Sequence, residues 1–339
     1  MTASPSPRSV PRRRHGHLIG AYGLLALAAL LFLVFSLALP DTFPTRDNVS
    51  SILSNQSIPA LLALGATIPV ATGKFDLSIG YGLGLAHVMV LQLIVNEGWP
   101  WPLACLAVIL GGAVVGSLNG GIVEFGQIDS FIATLGTGSV MYAFTGWITD
   151  GARIVPGPQG LPPSFTGLYD SRLLGLPVPA FYVLAVAAAL WLVQERLPLG
   201  RYLYVIGSNP RAAAIIGVPT RRYSVYAFAG SGLVVGFAGV LLAAQQQTGN
   251  PSVGLDYLLP AFVGALLGST TVKPGRANAL GTVVAVAVLA VGLAGIGQLG
   301  ARFWATPLFN GATLLIAVGL AGYSARRRLR TGAAEVATP

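Results

Sequence analysis

Long apolar stretches separated by short polar segments make up most of this sequence of 339 residues. The first stretch, Leu18–Leu39, has about 22 residues, which is enough to cross a bilayer and too long for the apolar core of a cleaved signal peptide. Pro59 and Pro69 interrupt the second stretch and predict a broken or re-entrant helix there. We predict ten spans, at Leu18–Leu39, Ile58–Thr72, Leu77–Val95, Trp101–Val123, Phe131–Thr149, Val178–Val193, Tyr223–Ala244, Tyr257–Thr271, Ala277–Leu299 and Trp304–Tyr323.

The composition agrees with a membrane protein. Hydrophobic residues make up 54% of the chain and charged residues 9%, with a mean hydropathy of +0.71. Soluble domains carry about 25% charged residues, so this chain has too little polar surface for a water-soluble particle of its size. We therefore expect an all-α integral membrane protein, with a transmembrane domain at 18–323, a disordered basic tail at 1–17 and a second tail at 324–339.

Basic residues predict the orientation of the spans. If both termini are cytoplasmic, every Lys and Arg lies in a cytoplasmic segment except Arg46, Arg153, Arg172 and Arg302. The positive-inside rule therefore places both termini and the basic segment 195–222 in the cytoplasm. The net charge of +9 follows from this topology, so it does not indicate a nucleic-acid partner.

The sequence lacks the patterns of nucleotide-binding and catalytic sites. The two lysines, Lys74 and Lys273, are followed by Phe and Pro, so neither belongs to a phosphate-binding P-loop. Cys105 is the single cysteine, which excludes an intrachain disulfide and a multi-cysteine metal site. Asp76 and His87 are the only candidates for a proton relay within the apolar region, and His87 is expected to be inert. We predict no enzyme, no cofactor and no metal, and a pore driven by a partner rather than a self-driven pump.

The segment Leu199–Pro219 is a polar interruption that contains arginines. Asn209-Pro210 predicts a helix start, with Asn at the N-cap and Pro at the first helical position. Gly217 and Pro219 predict the end of that helix. A helix over Pro210–Ile216 is about 10 Å long and marginal on its own. We therefore predict that a second protein holds it.

Four stretches stand out in order along 48–323. Three of them are GKFDLSIG at 73–80, DSFIATLG at 129–136 and LGRYLYVIGSNPRAAAIIGV at 199–218. The fourth runs from PSVG at 251–254 to LGSTT at 267–271 and GT at 281–282. Together they resemble the permeases of sugar-type ABC importers, the ribose, xylose and galactoside group. The chain departs from the family pattern at Ser269 and at Lys273–Arg276, where the family has glycines, and the departures bear on the sugar rather than on the class.

The resemblance implies a type II-like permease subunit in a bacterial inner membrane, forming the path for a monosaccharide or related polyol. It also implies three partners: a second permease copy or close paralogue, a cytoplasmic ABC ATPase that binds the ATP, and an extracytoplasmic solute-binding protein. A permease for branched-chain amino acids or nucleosides is the alternative within this class. A stand-alone secondary transporter or channel and a membrane-bound enzyme are the alternatives from other classes.

The resemblance assigns two sets of candidate residues. Those for ATPase coupling are Gly200, Arg201, Gly207, Asn209, Pro210, Arg211, Ala212, Ala213 and Gly217, against the alternative of an ordinary surface turn. Those for the path or its gate are Asp76, Ser78, Phe131, Thr134 and Thr137. Against a gate role, Asp76 could cap the following helix and the threonines could bond their own backbone.

Glycines spaced by four residues predict close helix packing rather than chemistry. They occur at Gly80/Gly84, Gly112/Gly116/Gly120, Gly232/Gly236 and Gly264/Gly268.

Overall fold

The computed structural model describes residues 15–316 and residue 319, and the chain there is almost entirely helical. The predicted tail 324–339, most of the tail 1–17 and the end of the last predicted span lie outside the described residues. The helices are α1 (His15–Ala38), α2 (Arg46–Asn55), α3 (Ser57–Ala71), α4 (Ser78–Leu91), α5 (Trp101–Phe125), α6 (Ser130–Thr149), α7 (Pro163–Asp170), α8 (Val178–Arg196), α9 (Pro198–Ser208), α10 (Pro210–Ile215), α11 (Thr220–Gln246), α12 (Leu255–Gly268), α13 (Ala279–Gln298) and α14 (Ala305–Ile316).

Six helices in the described part of the chain are long and apolar enough to cross a membrane. They are α5, α6, α8, α11, α13, and α4 together with its π-helical continuation Gln92–Asn96. The bent pair α2–α3 makes a seventh if it counts as one span. Three shorter apolar helices lie at Tyr22–Ala38, Leu255–Gly268 and Ala305–Ile316. The all-α membrane fold is therefore confirmed, and a helix lies at each of the ten predicted positions, although only six or seven meet the length of a span.

The bend in the second predicted span is not at its prolines. The helices α2 and α3 meet at Gln56 with an angle of 41°. Pro59 lies in the first turn of α3, where a missing N–H costs little, and Pro69 lies in its last turn. The polar segment before this bend is partly helical, because α2 begins at Arg46 and Thr45 caps it by accepting a hydrogen bond from Asn48 N.

The segment between α6 and α8 contains elements that the sequence analysis did not predict. It forms α7 and a short hairpin of β1 (Arg172–Leu173) and β2 (Leu176–Pro177). Ile154 in this loop pairs with Gly249 by two backbone hydrogen bonds of 2.9 and 2.8 Å. The loop is therefore joined to the segment that follows α11.

Helix α11 is the most buried of the long spans and packs on α3, α4 and α5. Its contact with α5 depends on glycines in both helices. A Cβ at Gly116 would collide with the Phe228 carbonyl oxygen, and a Cβ at Gly232 would collide with that of Gly112. The close packing predicted from the four-residue glycine spacing is thus confirmed here. By contrast, less than a third of the most apolar stretch of α5, α6 and α8 is buried.

Candidate functional site

The short helix predicted in the basic segment is confirmed as α10. Asn209 caps it, with its Oδ1 accepting a hydrogen bond of 3.0 Å from Ala212 N, and Pro210 occupies the first helical position. Gly217 has a φ of +83°, a conformation that favours glycine and ends the helix. The helix ends at Ile215, one residue earlier than predicted.

Helix α9 was missed by the sequence analysis, which treated the residues before Asn209 as loop. Its buried side consists of Gly200, Leu203 and Ile206, a three-residue spacing that indicates one helical face. The signal was present in Pro198, which starts the helix at a position where proline is favoured. The other positions of α9 hold a mixture of Arg, Tyr and Gly, which obscures the helical pattern in the sequence.

The loop between α12 and α13 holds α9 in place. The Tyr204 hydroxyl donates a hydrogen bond of 2.8 Å to the Ala277 carbonyl oxygen, and the Arg276 guanidinium lies 5.5 Å from the centre of the Tyr204 ring. Lys273 forms an ion pair with Glu195 at the end of α8. Burial raises the pKa of Tyr204 to about 12, with a smaller contribution from Glu195, so its hydroxyl keeps its proton. Two of the residues that depart from the family pattern, Lys273 and Arg276, thus anchor this segment.

The predicted coupling residues divide into two groups by their surroundings. Three of them contact their own chain closely: Gly200 is buried against α8, and Ala213 is fully buried. Gly207 is exposed, but a Cβ there would collide with the Ala71 carbonyl oxygen. The others are exposed, and they are Arg201, Asn209, Pro210, Arg211, Ala212 and Gly217.

Two exposed isoleucines at the end of α10 were not among the predicted residues. Ile215 is 86% exposed and Ile216 is 71% exposed, next to the exposed Arg211. Large aliphatic side chains so exposed on a basic segment indicate a contact surface for another protein. The signal in the sequence was an aliphatic pair at the end of a short, well-capped helix.

The contact at Gly207 connects this segment to the candidate gate. Gly207 packs on Ala71 and Gly73, which lie where α3 ends and the α3–α4 loop begins. That loop leads directly to Asp76. Lys74 in the same loop forms an ion pair of 2.7 Å with Glu124 near the end of α5.

Asp76 and Ser78 form a buried hydrogen-bonded group with Asn119 of α5, a residue that the sequence analysis missed. Asp76 Oδ1 accepts hydrogen bonds from Ser78 N at 3.1 Å and from Ser78 Oγ at 2.5 Å. Asn119 Nδ2 donates to Ser78 Oγ at 2.7 Å. Asp76 therefore accepts from the N–H two residues on, as the capping alternative expected, although the N-cap position itself is Leu77. The group also joins the start of α4 to α5. Asn119 could have been suspected as a lone amide in an apolar helix.

The candidate residues on α6 differ from one another. Thr134 is fully buried; its Oγ1 donates to Ser130 O at 2.7 Å and accepts from Leu77 N at 2.9 Å. The alternative of a threonine bonded to its own backbone therefore holds, together with a bond to the loop before α4. Phe131 is 52% exposed, and Thr137 Oγ1 donates to Thr134 O at 3.3 Å. The structure therefore places Asp76, Ser78 and Thr134 close together through the loop before α4. Within the described part of the chain, no hydrogen bond joins the side chains of Phe131 and Thr137 to Asp76 or Ser78.

A cavity of about 260 Å³ lies above this group, between α4, α5, α6 and α11. Asp76, Ser78 and Asn119 form its polar end, and most of its remaining wall is apolar. Among the described residues, no group of three or more His, Cys, Asp or Glu could hold a metal ion. The arrangement offers a few hydrogen-bonding groups in an apolar setting, which suits passage better than covalent chemistry.

Comparisons with known proteins agree with these features. The family described as "Branched-chain amino acid transport system / permease component" matches residues 48–318. No solved structure matches the chain.

Three relatives are similar over most of their length. The ribose import permease protein of Haemophilus influenzae is 30% identical over 272 residues, 80% of this chain and 83% of the relative. The ribose import permease protein of Bacillus subtilis is 33% identical over 292 residues, 85% and 88% of the two chains. The D-allose transport system permease protein of Escherichia coli is 26% identical over 299 residues, 88% and 90% of the two chains.

Proposed function

Because the chain belongs to the family of transport-system permease components that matches residues 48–318, we propose that it forms the membrane path of an ATP-driven ABC importer for a monosaccharide or related polyol. The solute would be delivered by a separate binding protein, and a cytoplasmic ABC ATPase would supply the energy. A second copy or a close paralogue would complete the path.

The observation that carries this proposal is the exposed side of α10. A six-residue helix with an Asn cap, an exposed arginine and two exposed isoleucines has no surface of its own chain to cover it among the described residues. An ATPase with an apolar groove and acidic rim would bury the isoleucines and pair with Arg211. Its movement would reach the start of α4 through the contact of Gly207 with Gly73.

The orientation in the membrane belongs to the same proposal. The distribution of Lys and Arg supports ten spans with both termini cytoplasmic, which puts α9, α10 and the α12–α13 loop on the ATPase side. The three shorter apolar helices and the bent pair α2–α3 would then account for the spans beyond the six that meet the length of a bilayer.

The names of the relatives favour a sugar. Two are ribose import permeases and one is a D-allose transport permease, and each aligns with at least 80% of this chain. The description of the family favours a branched-chain amino acid instead. Affinity in such systems resides mainly in the binding protein. The ligand of that protein therefore distinguishes a sugar from a branched-chain amino acid as the transported solute.

ATPase activity of the assembled complex tests the proposal. The chain is co-expressed with a cognate ABC ATPase and a cognate binding protein, purified and placed in lipid nanodiscs. We expect the binding protein loaded with D-ribose or D-allose to stimulate ATP hydrolysis, and the same protein with L-leucine to leave it unchanged. Stimulation by leucine alone would support the amino-acid alternative, and failure of the ATPase to co-purify would contradict the proposal.

A further inference from the structure

The segment Gln247–Gly254, between α11 and α12, is not helical and runs back along α4. His87 Nε2 accepts a hydrogen bond of 3.1 Å from Asn250 N. Four residues later, a Cβ at Gly254 would collide with the Gly80 carbonyl oxygen and lie 2.7 Å from Gly84 N. The segment therefore follows α4 from His87 to Gly80. The buried histidine holds this backbone in place, which gives it a structural role.

The neighbouring helices show how deep this segment lies. Gly239 of α11 packs on His87, and it precedes the end of α11 by seven residues, or about 10 Å. Because Asn250 bonds to His87, it lies at the level of Gly239, about 10 Å from the end of α11 along the helix axis.

A second measure comes from the opposite side of the membrane domain. Ser78, at the start of α4, is hydrogen-bonded to Asn119, six residues before the end of α5. Gly80 and Gly84 then lie about 12 to 18 Å from that end of α5, a helix about 37 Å long. Both measures place Gly254 near the middle of the membrane domain.

Helix α12 begins at this depth, which explains its shortness. Its 14 residues extend about 21 Å, less than the thickness of a hydrocarbon core of about 30 Å. Non-helical backbone at this depth is tolerated where it is buried in protein or lines a water-filled cavity. Gly249, Val253 and Gly254 are buried, whereas Ser252 is exposed.

From Ser252 into α12, the exposed residues recur three and four residues apart, a spacing that puts them on one side of the helix. We call this side the re-entrant face; its members are Ser252, Leu255, Asp256 and Leu259. A carboxylate and a hydroxyl exposed at mid-membrane depth cannot face hydrocarbon without a large cost, so they indicate water. The sequence analysis had placed Asp256 at the end of a span, because nothing in the sequence shows that α12 starts inside the membrane.

We propose that the re-entrant face lines the aqueous path, and that Ser252 and Asp256 bind hydroxyl groups of a polyhydroxylated solute. A carboxylate accepts hydrogen bonds from hydroxyl groups, and a serine can both donate and accept. Phe75 closes the end of this face nearest the α3–α4 loop, where its ring lies 6.3 Å from that of Phe262. This proposal rests on the function proposed above, and it adds the residues that meet the solute.

Thiol labelling tests the proposal without requiring transport. The natural chain has one cysteine, Cys105, which is buried and gives a low background. Ser252→Cys and Leu255→Cys are each made, with Val114→Cys as the matched control, since Val114 is exposed at mid-height of α5. A membrane-impermeant cationic methanethiosulfonate is added to ruptured native membranes, where both faces are accessible.

We expect both variants on the re-entrant face to be labelled at least about 10-fold faster than Val114→Cys, because the thiolate that reacts forms in water and not in lipid. For Ser252→Cys, the cationic reagent should react about 5-fold faster than an anionic analogue, owing to the nearby carboxylate. Adding Asp256→Asn should bring this ratio to about 1.

Labelling of Ser252→Cys and Leu255→Cys at the rate of Val114→Cys would overturn the proposal, because lipid or a partner would then cover the face. A charge ratio unaffected by Asp256→Asn would overturn the role of Asp256. Failure of the proposed function is separate: the complex would not hydrolyse ATP in response to a loaded binding protein, while labelling would proceed as expected.

Discussion

Ala213 and Ile215 are two residues apart on α10 and lie in opposite surroundings. Ala213 is fully buried against its own chain, whereas the Ile215 side chain is almost fully exposed. The face that a six-residue helix buries depends on what it packs against. The sequence therefore predicted the helix and its cap correctly, and could not tell which side faces outward.

Replacing Ile215 tests the outward surface. We expect Ile215→Asp to reduce co-purification of the ATPase at least about 10-fold, because docking would bury a large aliphatic side chain. Thermal unfolding of the chain alone should be unchanged, since nothing in the described chain covers Ile215. Phe303→Asp is the matched control, because Phe303 is 92% exposed outside the basic segment; equal ATPase loss in both variants would argue against a specific surface.

The cap of α10 can be tested by hydrogen exchange. We expect Asn209→Ala to cost about 1 kcal/mol of helix stability, since Ala212 N loses its acceptor. Amide exchange in the peptide covering 209–217 should then accelerate about 5-fold. Asn209→Asp keeps a capping oxygen and should exchange like the natural chain. Unchanged exchange in the alanine variant would mean that packing of Ala213 alone maintains the helix.

At the scale of elements, helix positions were far more predictable than helix contacts. The apolar runs gave nearly every long helix, because a span must satisfy its backbone internally and so reads as an uninterrupted stretch. The missed helices are α2, α7 and α9, which have at most 11 residues and bury only one to three of them each. The depth at which α12 starts could not be predicted, since it depends on the packing of Gly254 between Gly80 and Gly84.

Two glycines of α5 offer a direct test of the α5–α11 contact. We expect Gly116→Ala to lower the melting temperature markedly, because its Cβ would collide with the Phe228 carbonyl oxygen. Gly121→Ala lies in the same helix, where an added Cβ meets nothing within 4 Å. It should be neutral or stabilising by up to about 1 kcal/mol, as alanine favours the helix. Melting in detergent, followed by fluorescence, measures both; equal effects would mean that the glycine contact contributes little.

For the whole molecule, the candidate site was only partly predictable. The motifs supplied Asp76, Ser78 and Thr134 as candidates, and Thr134 bonds to Leu77, between the other two. Asn119, which bonds to Ser78, lies in a helix with no recognisable motif. The re-entrant face could not be predicted either. Its polar residues become candidates only when their depth in the membrane is known, and that depth depends on packing. In the proposed mechanism, the gate lies at one end of α4, the path runs beside α12, and α9–α10 form the contact with the ATPase.

Uptake of radiolabelled D-ribose into proteoliposomes is the most direct test of a path driven from outside the chain. We predict no accumulation with the chain alone, and ATP-dependent accumulation when the ATPase and the loaded binding protein are present. Replacing ATP by a non-hydrolysable analogue should abolish it. Ribose transport by the chain alone, with neither ATPase nor ATP, would contradict the account.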